Sequence, residues 1–328
     1  MKFFVTGASG FIGSVLCFEL AEAGNIVHAY GRTVQQCPIL KHRKIKLFIG
    51  DILEIEALEK AIYGCERGFH LAALVKVNVK DPEEYYRVNV QGTINVMELC
   101  LKHNVKKLVF TSSCGTFPPS GVGITDEQTK RNGDFFNEYA KTKYIAEQKA
   151  MKFIITGFDV VAVSPTRVYG PGPLRVSNSI SKIIKMYLNG RWRILPGNGK
   201  AIGNYAFIDD VVRGHIQAMN IGKSGENYLL GGENISFNDF IDYIKKFTGE
   251  NKWMIRINSS LIYGLIIVQE KICILIKKPP FITTSWFRRL EQSAAYSSNK
   301  AINQLDYKIT PFSKGIKRTI DFLKINNL

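Results

Sequence analysis

A tyrosine and a lysine stand four positions apart, at Tyr139 and Lys143, in a segment whose residue pattern predicts a helix over 137–155. Residues spaced by four lie on one face of a helix, so the ammonium group of Lys143 can approach the phenol of Tyr139. Bringing the pKa of a tyrosine from about 10 to about 7 takes roughly 4 kcal/mol, which a partly desolvated cation can help to supply. The pair predicts a tyrosine that exchanges a proton with a substrate, although the same spacing also arises by chance.

Hydroxyl side chains mark the end of a predicted strand, residues 106–111, in the string Thr111-Ser112-Ser113-Cys114-Gly115. In a doubly wound sheet, ligands bind outside the carboxyl ends of the strands. We therefore expect these hydroxyl groups at the edge of the sheet where a ligand binds.

A glycine-rich turn joins the first predicted strand to the first predicted helix and reads Thr6-Gly7-Ala8-Ser9-Gly10-Phe11-Ile12-Gly13. Gly7 permits a tight turn, Gly10 lets backbone N–H groups approach a pyrophosphate, and Gly13 lets the helix lie against the sheet. Because strand, turn and helix follow in the order that dinucleotide binding requires, the spacing predicts a pyrophosphate site rather than a purely structural turn.

The end of the second predicted strand bears on the choice of cofactor. An acid in this region holds a ribose hydroxyl of NAD, whereas an arginine suits the added phosphate of NADP. The strand ends in Ala29-Tyr30-Gly31-Arg32-Thr33, without an acid. Arg32 can pair with a phosphate through two hydrogen bonds, which favours NADP over NAD; a solvated surface arginine is the alternative.

The elements that must position these residues alternate between short apolar runs and longer amphipathic ones. This alternation predicts an α/β fold, a Rossmann-type doubly wound parallel sheet with crossover helices. The expected strands are 2–6, 26–30, 45–49, 66–71, 106–111 and 158–164, and the expected helices are 11–23, 53–62, 81–103 and 137–155.

The regular alternation ends near Pro165, where prolines and glycines become frequent and a smaller C-terminal α/β lobe is expected to begin. Such a lobe would bind the substrate. The division we expect is a dinucleotide-binding domain of residues 1–167 with a return segment, 202–222, and a substrate-binding lobe of residues 168–201 and 223–328.

Composition limits the class of protein and its compartment. The chain has 328 residues, 45% of them hydrophobic, and 44 basic against 28 acidic residues give a net charge of +16, which favours anionic ligands. No aromatic-basic repeat supports nucleic-acid binding. The six cysteines contain no CxxC spacing, and the apolar N-terminus is too short for a signal peptide. We expect free thiols and a cytoplasmic location.

The most apolar window of the sequence is 261–276, which Gln269-Glu270-Lys271 interrupts before it reaches the length of a membrane span. We expect a helix that packs on the smaller lobe. A surface that binds a membrane or covers an apolar substrate is the alternative, and the flanking Lys277-Lys278 supports it.

Taken together, these motifs resemble those of the extended short-chain dehydrogenase/reductase family, the NAD(P)-dependent epimerase/dehydratase group, over nearly the whole chain. The matching segments are Thr6 to Gly13, Gly50-Asp51-Ile52, His70-Leu71-Ala72-Ala73, Asn89-Val90-Gln91-Gly92-Thr93, Thr111-Ser112-Ser113, Tyr139 with Lys143, Arg167-Val168-Tyr169-Gly170-Pro171-Gly172, and Phe207-Ile208-Asp209-Asp210-Val211.

The resemblance implies roles for individual residues. Ser113 would hydrogen-bond the substrate oxygen, Tyr139 would donate or accept the proton, and Lys143 would lower the pKa of Tyr139 and bind the nicotinamide ribose. Asn89 would support the active site. The cofactor contacts implied are Gly7, Ser9, Gly10, Phe11, Ile12, Gly13, Arg32, Asp51, Ile52, Leu71, Ala72, Ala73, Asn89, Tyr139, Lys143 and Pro165.

The reaction that the resemblance implies is hydride transfer between a nicotinamide and a carbon that carries an alcohol or ketone. Dehydratases of the family place an acid pair after the active-site hydroxyl, where this chain has Cys114-Gly115. The sequence is more similar to the dihydroflavonol-reductase and hydroxysteroid-dehydrogenase branch. We expect an NADP-dependent reductase of a small-molecule ketone or aldehyde, and a nucleotide-sugar epimerase with retained cofactor is the alternative.

Three other features have structural interpretations that we favour. His70 is expected to be a packed residue beside the cofactor turn rather than a base. Asp209-Asp210 is expected to supply an N-cap and a partner of the helix dipole rather than to bind a metal, so no metal site is predicted. Arg191-Trp192-Arg193 reads as a solvated basic strand around a packed tryptophan, and contact with a phosphate or nucleotide is the alternative. By resemblance, the helices 81–103 and 137–155 are expected to pair in a homodimer.

Overall fold

The computed structural model describes residues 1–75, 81–121, 123–131, 133, 135–276, 280 and 283–326. The strands are β1 (Lys2–Thr6), β2 (Ile26–Tyr30), β3 (Ile45–Phe48), β4 (Arg67–His70), β5 (Lys107–Thr111), β6 (Asp159–Pro165), β7 (Arg167–Tyr169), β8 (Ile194–Pro196), β9 (Ile202–Phe207), β10 (Asn227–Leu230), β11 (Glu233–Ser236) and β12 (Ile255–Ile257). The helices are α1 (Phe11–Glu22), α2 (Ile55–Ile62), α3 (Glu83–Tyr86), α4 (Gly92–Lys102), α5 (Glu138–Lys152), α6 (Ser179–Leu188), α7 (Ile208–Ile221), α8 (Phe237–Thr248), α9 (Ser259–Leu275), α10 (Thr284–Glu291), α11 (Asn299–Leu305) and α12 (Phe312–Ile325).

Seven parallel strands form the main sheet, in the order β10-β6-β5-β4-β1-β2-β3. The strand order reverses direction between β1 and β4, which is the point where doubly wound sheets bind their ligands. The predicted fold class, an α/β Rossmann-type sheet, is confirmed.

Alternate residues of the strands pack on opposite faces of this sheet. Phe4 and Phe110 belong to a hydrophobic cluster with residues of α2, α4 and α5. Phe3 and Val109 belong to a second cluster with residues of α1 and α7, and this cluster continues into α8 and α12. The sheet is therefore covered on both faces, which is why its strands read as nearly continuous apolar runs.

Two smaller sheets, β11-β9-β7 and β12-β8, lie outside the main sheet. The division into a dinucleotide-binding domain and a substrate lobe stays a prediction, but two strands differ from the expected placement. Strand β9, expected in the returning segment, pairs with β7 and β11, whereas β10, expected in the substrate lobe, pairs with β6 at the edge of the main sheet.

The segment expected to form one helix over 81–103 is divided in the structure. After α3, residues Arg87–Gln91 form a π-helical turn before α4 begins. The side chain of Asp81 accepts a hydrogen bond from the backbone nitrogen of Glu83, 3.0 Å away, as expected of a residue that opens a helix. A π turn inside a helix often marks a functional site.

Candidate active site

The turn after β1 takes its shape from close backbone contacts. Gly7 has a φ of +70°, and a Cβ atom at this position would lie 2.7 Å from the backbone nitrogen of Ala72 and 2.8 Å from the carbonyl carbon of Leu71. Only glycine fits here, because both the φ angle and the available space exclude a side chain. The turn therefore lies directly against the chain that leaves β4, the segment that also contains Ala73.

The turn continues into α1 with backbone N–H groups at the helix N-terminus. Gly10 is the N-cap and has no side chain to accept their hydrogen bonds, and the first turn of α1 contains no acid. Gly13 packs on the turn itself, since a Cβ atom there would lie 2.4 Å from the carbonyl oxygen of Gly7. Phe11 is buried and Ile12 partly buried. This geometry fits the pyrophosphate of a dinucleotide.

Polar groups cluster at the ends of β2 and β3, where the adenosine end of a dinucleotide would lie. The Nη1 atom of Arg32 is 3.4 Å from the Oδ2 atom of Asp51, and the hydroxyl groups of Ser9 and Thr33 are 3.0 Å apart. The guanidinium side chain is 61% exposed. Ile52 is buried. Three hydrogen-bonding side chains are therefore available to a phosphate near this strand end.

Helix α5 begins close to the turn that follows β5. The side chain of Asn137 accepts a hydrogen bond from the backbone nitrogen of Ala140 at 2.9 Å and so caps the helix. Tyr139 lies in the first turn and is partly buried, and Lys143 lies one turn later with 1% exposure. The Nζ atom of Lys143 is 4.1 Å from the centre of the Phe110 ring on β5.

Ser113 lies in the turn that α5 contacts. Its hydroxyl oxygen accepts a hydrogen bond from the backbone nitrogen of Gly115 at 3.1 Å, and the side chain is 7% exposed. Cys114 and Gly115 line a cavity together with Asn137 and Ala140, which stand two positions before and one position after Tyr139. The structure thus brings the Ser113 turn and the Tyr139 helix to one cavity.

A buried carboxylate accompanies the lysine. Glu147 lies one helical turn after Lys143 and accepts hydrogen bonds from the hydroxyl of Ser112 and from the side-chain nitrogen of Asn227. Burial lowers the pKa of Lys143 to about 7, and the charge of Glu147 opposes that shift. Burial raises the pKa of Glu147, against the effect of its hydrogen bonds and of Lys143. The two groups stabilise each other's charged forms.

Our sequence interpretation did not include Glu147. Its spacing from Lys143 could have indicated it, because the two residues stand four positions apart on the predicted helix and so share one face. Its partners Ser112 and Asn227 lie 35 and 80 positions away and meet it only in the folded sheet.

A chain of hydrogen bonds runs through His70 at the end of β4. Its Nδ1 atom is 2.6 Å from the hydroxyl of Thr6, and its Nε2 atom is 2.9 Å from the hydroxyl of Thr93. Because the Thr93 hydroxyl donates to the carbonyl of Asn89, His70 donates to Thr93 from Nε2 and accepts from Thr6 at Nδ1. The ring is therefore neutral, and burial lowers its pKa to about 3. The structural interpretation of His70 is confirmed.

Asn89 lies in the π turn and connects this chain to α5. Its side-chain oxygen accepts from the backbone nitrogen of Leu74 at 2.7 Å, and its nitrogen donates to the hydroxyl of Thr142 at 3.0 Å. Thr142 directly precedes Lys143. Hydrogen bonds therefore connect the cofactor turn, through Thr6 and His70, to the helix that carries Tyr139 and Lys143.

The cavity beside Ser113 is lined mainly by apolar and aromatic side chains, with Arg167 as its charged member. The hydroxyl of Tyr296 donates a hydrogen bond to the carbonyl of Cys114 at 3.2 Å and so attaches the C-terminal segment to the site. The other lining residues include Phe117, Pro119, Phe136, Gln292 and Ala294. Gln292, Ala294 and Tyr296 were absent from our sequence interpretation, because no local pattern connects them with Ser113.

The remaining candidates have structural roles. Asp209 and Asp210 lie in the first turn of α7, as expected of acids that interact with the helix dipole, whereas the N-cap is Phe207 and neither of the two acids. Asp210 accepts two hydrogen bonds from Thr310. Trp192 is buried.

Among the residues that the structure describes, no group of three or more His, Cys, Asp or Glu side chains could hold a metal ion. None of the six cysteines, all within the described residues, forms a disulfide bond.

The chain matches the model of a known protein family over most of its length. A family model described as "NAD dependent epimerase/dehydratase family" matches residues 3–231. This range begins in β1 and ends just after β10, so it includes the glycine turn, the Ser113 turn and the Tyr139 helix.

Similar proteins have several activities in their names. Sterol demethylase protein B of Methylococcus capsulatus is 28% identical over 82% of this chain and 81% of its own length. Dihydroflavonol 4-reductase of Gerbera hybrida is 29% identical over 76% of this chain and 72% of its own length. The structure of UDP-glucuronic acid 4-epimerase from Bacillus cereus in complex with NAD has a TM-score of 0.80, 22% identity and full coverage of both chains, a likeness that concerns the fold.

Proposed function

We propose that this chain reduces a ketone or aldehyde with NADP as its cofactor. It belongs to the NAD-dependent epimerase/dehydratase family, a group of extended short-chain dehydrogenases/reductases, and is an NAD(P)-dependent oxidoreductase. The observation that carries the proposal is the meeting of two elements at one cavity: the turn of Ser113 and the first turn of α5, which contains Tyr139.

The residues of the chain act on the proton and on the position of the substrate. Ser113 donates a hydrogen bond to the carbonyl oxygen, and Tyr139 transfers its phenolic proton to that oxygen as the alcohol forms. The charge of Lys143 stabilises the phenolate that remains. The reduced nicotinamide cofactor supplies the hydride when it is bound.

The proposed cofactor contacts lie around the switch point of the sheet. Backbone N–H groups of the glycine turn hold the pyrophosphate, and the segment Leu71–Ala72–Ala73 borders it. Asp51 and Ile52 contact the adenine, while Lys143, Asn89 and Pro165 form or support the nicotinamide end. The turn fits a dinucleotide because Gly7 and Gly13 leave no room for side chains and the start of α1 has no cap of its own.

Arg32 supports NADP rather than NAD. It is largely exposed at the end of β2, and the hydroxyl groups of Ser9 and Thr33 lie nearby in the same cluster. A phosphate on the ribose can accept hydrogen bonds from all three side chains. The ion pair of Arg32 with Asp51, at 3.4 Å in this structure, lies at the surface, so a phosphate can easily take the place of the carboxylate.

The lining of the cavity supports an apolar carbonyl substrate. Phe117, Pro119, Phe136 and Ala294 offer apolar surface, and Arg167 offers one cation. A compound with rings or an alkyl chain and one polar group matches such a pocket. Two relatives are named as a sterol demethylase protein and a dihydroflavonol reductase. Both names refer to compounds with fused rings, which agrees with this substrate class.

A nucleotide-sugar epimerase is the second candidate, favoured by the family's description and by the likeness in fold to the UDP-glucuronic acid 4-epimerase. An epimerase oxidises and then reduces the same carbon, so it has no net use of cofactor. Ser113, Tyr139 and Lys143 can serve both reactions, which makes cofactor turnover the property that separates them.

The test is a screen of the purified protein for NADPH consumption with steroid ketones, flavonoid-like ketones, simple aldehydes and UDP-sugars. We expect steady consumption with an apolar ketone or aldehyde, and slower consumption with NADH. The opposite result would be a cofactor that copurifies with the protein and is not consumed while UDP-sugars are interconverted. That result would overturn the reductase in favour of the epimerase.

Assembly and location are separate predictions. We propose a homodimer in which α5 and the segment of α3 and α4 pair with the same helices of a second copy, in the cytoplasm. Sedimentation equilibrium of the purified protein measures its mass, and a monomer at all concentrations would contradict the dimer.

A further inference from the structure

Helix α9 presents a stripe of apolar side chains to solvent. Leu261, Leu265, Val268, Ile272 and Leu275 are 65%, 67%, 54%, 50% and 80% exposed. At about 100° per residue, these five positions fall within an arc of about 80° on the helix surface. A stripe of five large aliphatic side chains is unusual on the surface of a soluble protein and marks an interaction site.

The opposite side of α9 attaches the helix to the protein. Ile262 and Ile266 are buried in a small cluster with Phe287 of α10. The side chain of Glu270 accepts a hydrogen bond from the backbone nitrogen of Thr284 at 3.0 Å, so this acid faces α10 and not the stripe. The exposed side chains are therefore not needed for the packing of α9 on its neighbour.

The length of α9 suits a position along a membrane surface rather than across it. Its 17 residues extend about 25 Å, less than the roughly 30 Å of a hydrocarbon core. Within the described residues, no helix combines the length and the hydropathy that a membrane crossing requires. A helix that lies in the interface buries one apolar face among the lipids and keeps its other side outside them.

Charge indicates which membrane surface fits. Lys271 lies beside the stripe and is exposed, and no residue of the stripe is acidic. Lys277 and Lys278 follow the helix in the sequence and lie outside the described residues. The net charge of the chain is +16. Basic residues next to an apolar helix face favour bilayers that contain anionic lipids. Trp253, six positions before α9, is 70% exposed and suits the headgroup region.

We propose that α9 docks the protein on bilayers that contain anionic phospholipids, with the stripe of Leu261, Leu265, Val268, Ile272 and Leu275 inserted among the lipids. The apolar side chains bind to the acyl region, and the exposed Lys271 beside them binds to the lipid phosphates. This inference is independent of the reaction that the protein catalyses.

Vesicle flotation of the full-length protein tests the proposal. We expect the protein to float with vesicles in which part of the phosphatidylcholine is replaced by phosphatidylglycerol, and to float several-fold less with phosphatidylcholine alone. Raising the salt concentration should weaken the binding, since part of it is electrostatic. Equal flotation with both kinds of vesicle would overturn the anionic specificity, and flotation with neither would overturn the docking.

A double variant, Leu265→Glu with Ile272→Glu, tests the stripe itself. Both side chains are at least half exposed, so the hydrophobic core stays intact, and we expect binding to vesicles to fall about tenfold or more. The matched control is Ile155→Glu with Ile325→Glu, two aliphatic residues 89% and 80% exposed elsewhere on the surface, which should float like the wild type.

Circular dichroism melting and cofactor binding check that both double variants are folded. Flotation of the stripe variant at the wild-type level, or an equal loss in the control, would overturn the assignment to α9. The wild type could instead form an oligomer that the stripe substitutions dissociate, with no vesicle binding by the wild type or by the stripe variant. This result would show that a second copy covers the stripe and would also overturn the proposal.

Discussion

Lys143 carries a charge in surroundings that disfavour it. Lys143 is 1% exposed and its ammonium group lies over the ring of Phe110, while the negative charge of Glu147 raises its pKa. Burial of an ammonium group costs free energy unless an opposite charge compensates it. Glu147 supplies this compensation and is itself held by Ser112 and Asn227. We infer that Glu147 is a positioning residue, which acts on Tyr139 only through Lys143.

Replacing the carboxylate by an amide isolates the effect of its charge. In Glu147→Gln, the amide oxygen can accept from Asn227, and Ser112 can turn its hydroxyl to accept from the amide nitrogen. We therefore expect a folded protein in which the pKa of Lys143 falls below its present value of about 7, because an opposing negative charge is lost.

A titration of lysine labelled at Cε, followed by NMR, measures this change. Glu138→Gln is the control, since Glu138 lies on the same helix but is exposed and 3.6 Å from the ammonium of Lys141. An unchanged midpoint for Lys143 in the Glu147 variant would contradict the proposed role of the carboxylate.

We propose that Arg32 determines the preference for NADP. We expect Arg32→Ala to weaken NADPH binding about tenfold or more, the equivalent of one charge-assisted hydrogen bond to phosphate, and to weaken NADH binding about twofold at most. Fluorescence titration with both cofactors measures the two affinities. Arg87→Ala, which removes an arginine from a similar exposed ion pair with Asp81, is the control. Equal losses for NADPH and NADH would contradict the preference for NADP.

The sequence indicates some of these residues much better than others. Tyr139 and Lys143 lie on one helix, so their spacing alone predicts that they are neighbours. Tyr296 contacts the carbonyl of Cys114 from 182 positions away. No local pattern predicts such a contact, because it depends on how the C-terminal segment packs on the main sheet.

The turn between β1 and α1 leaves no room for a side chain at Gly13. A methyl group at Gly13 would lie 2.4 Å from the carbonyl oxygen of Gly7, so Gly13→Ala must displace the turn. We expect the stability to fall by about 1–3 kcal/mol, as in overpacked cores, and the affinity for cofactor to fall about tenfold or more.

Urea unfolding and cofactor titration measure both effects. Gly264→Ala in α9 is the control, because no atom lies within 4 Å of the added methyl group and alanine favours a helix over glycine by about 1 kcal/mol. Normal cofactor affinity in the Gly13 variant would contradict the shape that we assign to the turn.

Elements that follow local rules are predicted well, and those that depend on distant contacts are not. The strand and helix before and after the glycine turn agree with the expected ranges within a residue. The π turn at Arg87–Gln91 was not predicted, because Asn89 takes its position from bonds to Leu74 and Thr142. The residues of β10 were expected in the substrate lobe, whereas the strand pairs with β6 at the edge of the main sheet, a pairing that no local pattern specifies.

At the scale of the whole molecule, two buried neutral histidines connect stability to pH. Burial lowers the pKa of His70 to about 3 and that of His215 to about 4, against about 6.5 in an unfolded chain. Between these values the unfolded state binds protons that the folded state does not. Stability therefore falls as the pH falls through this window, by about 1.4 kcal/mol per pH unit for each histidine.

Replacing one of the two histidines should reduce this dependence. His215 donates from Nδ1 to the carbonyl of Val211 and accepts from the hydroxyl of Thr111, bonds that an uncharged glutamine can partly replace. We expect His215→Gln to flatten the slope between about pH 6.5 and pH 4 by about 1.4 kcal/mol per unit. Urea unfolding across this range measures the slope. The control is His42→Gln, which replaces a histidine paired with Glu22 at the surface. An unchanged slope would mean that His215 is not buried in its neutral form.

The central claim is that the phenol of Tyr139 transfers the proton that accompanies hydride transfer. The most direct measurement compares Tyr139→Phe with the wild type, by turnover of a carbonyl substrate from the screen and by affinity for NADPH. We predict that turnover is lost while the affinity for NADPH changes little, since the phenol acts on the substrate oxygen. A variant that keeps a near-normal rate would contradict the claim, because the proton would then come from another group.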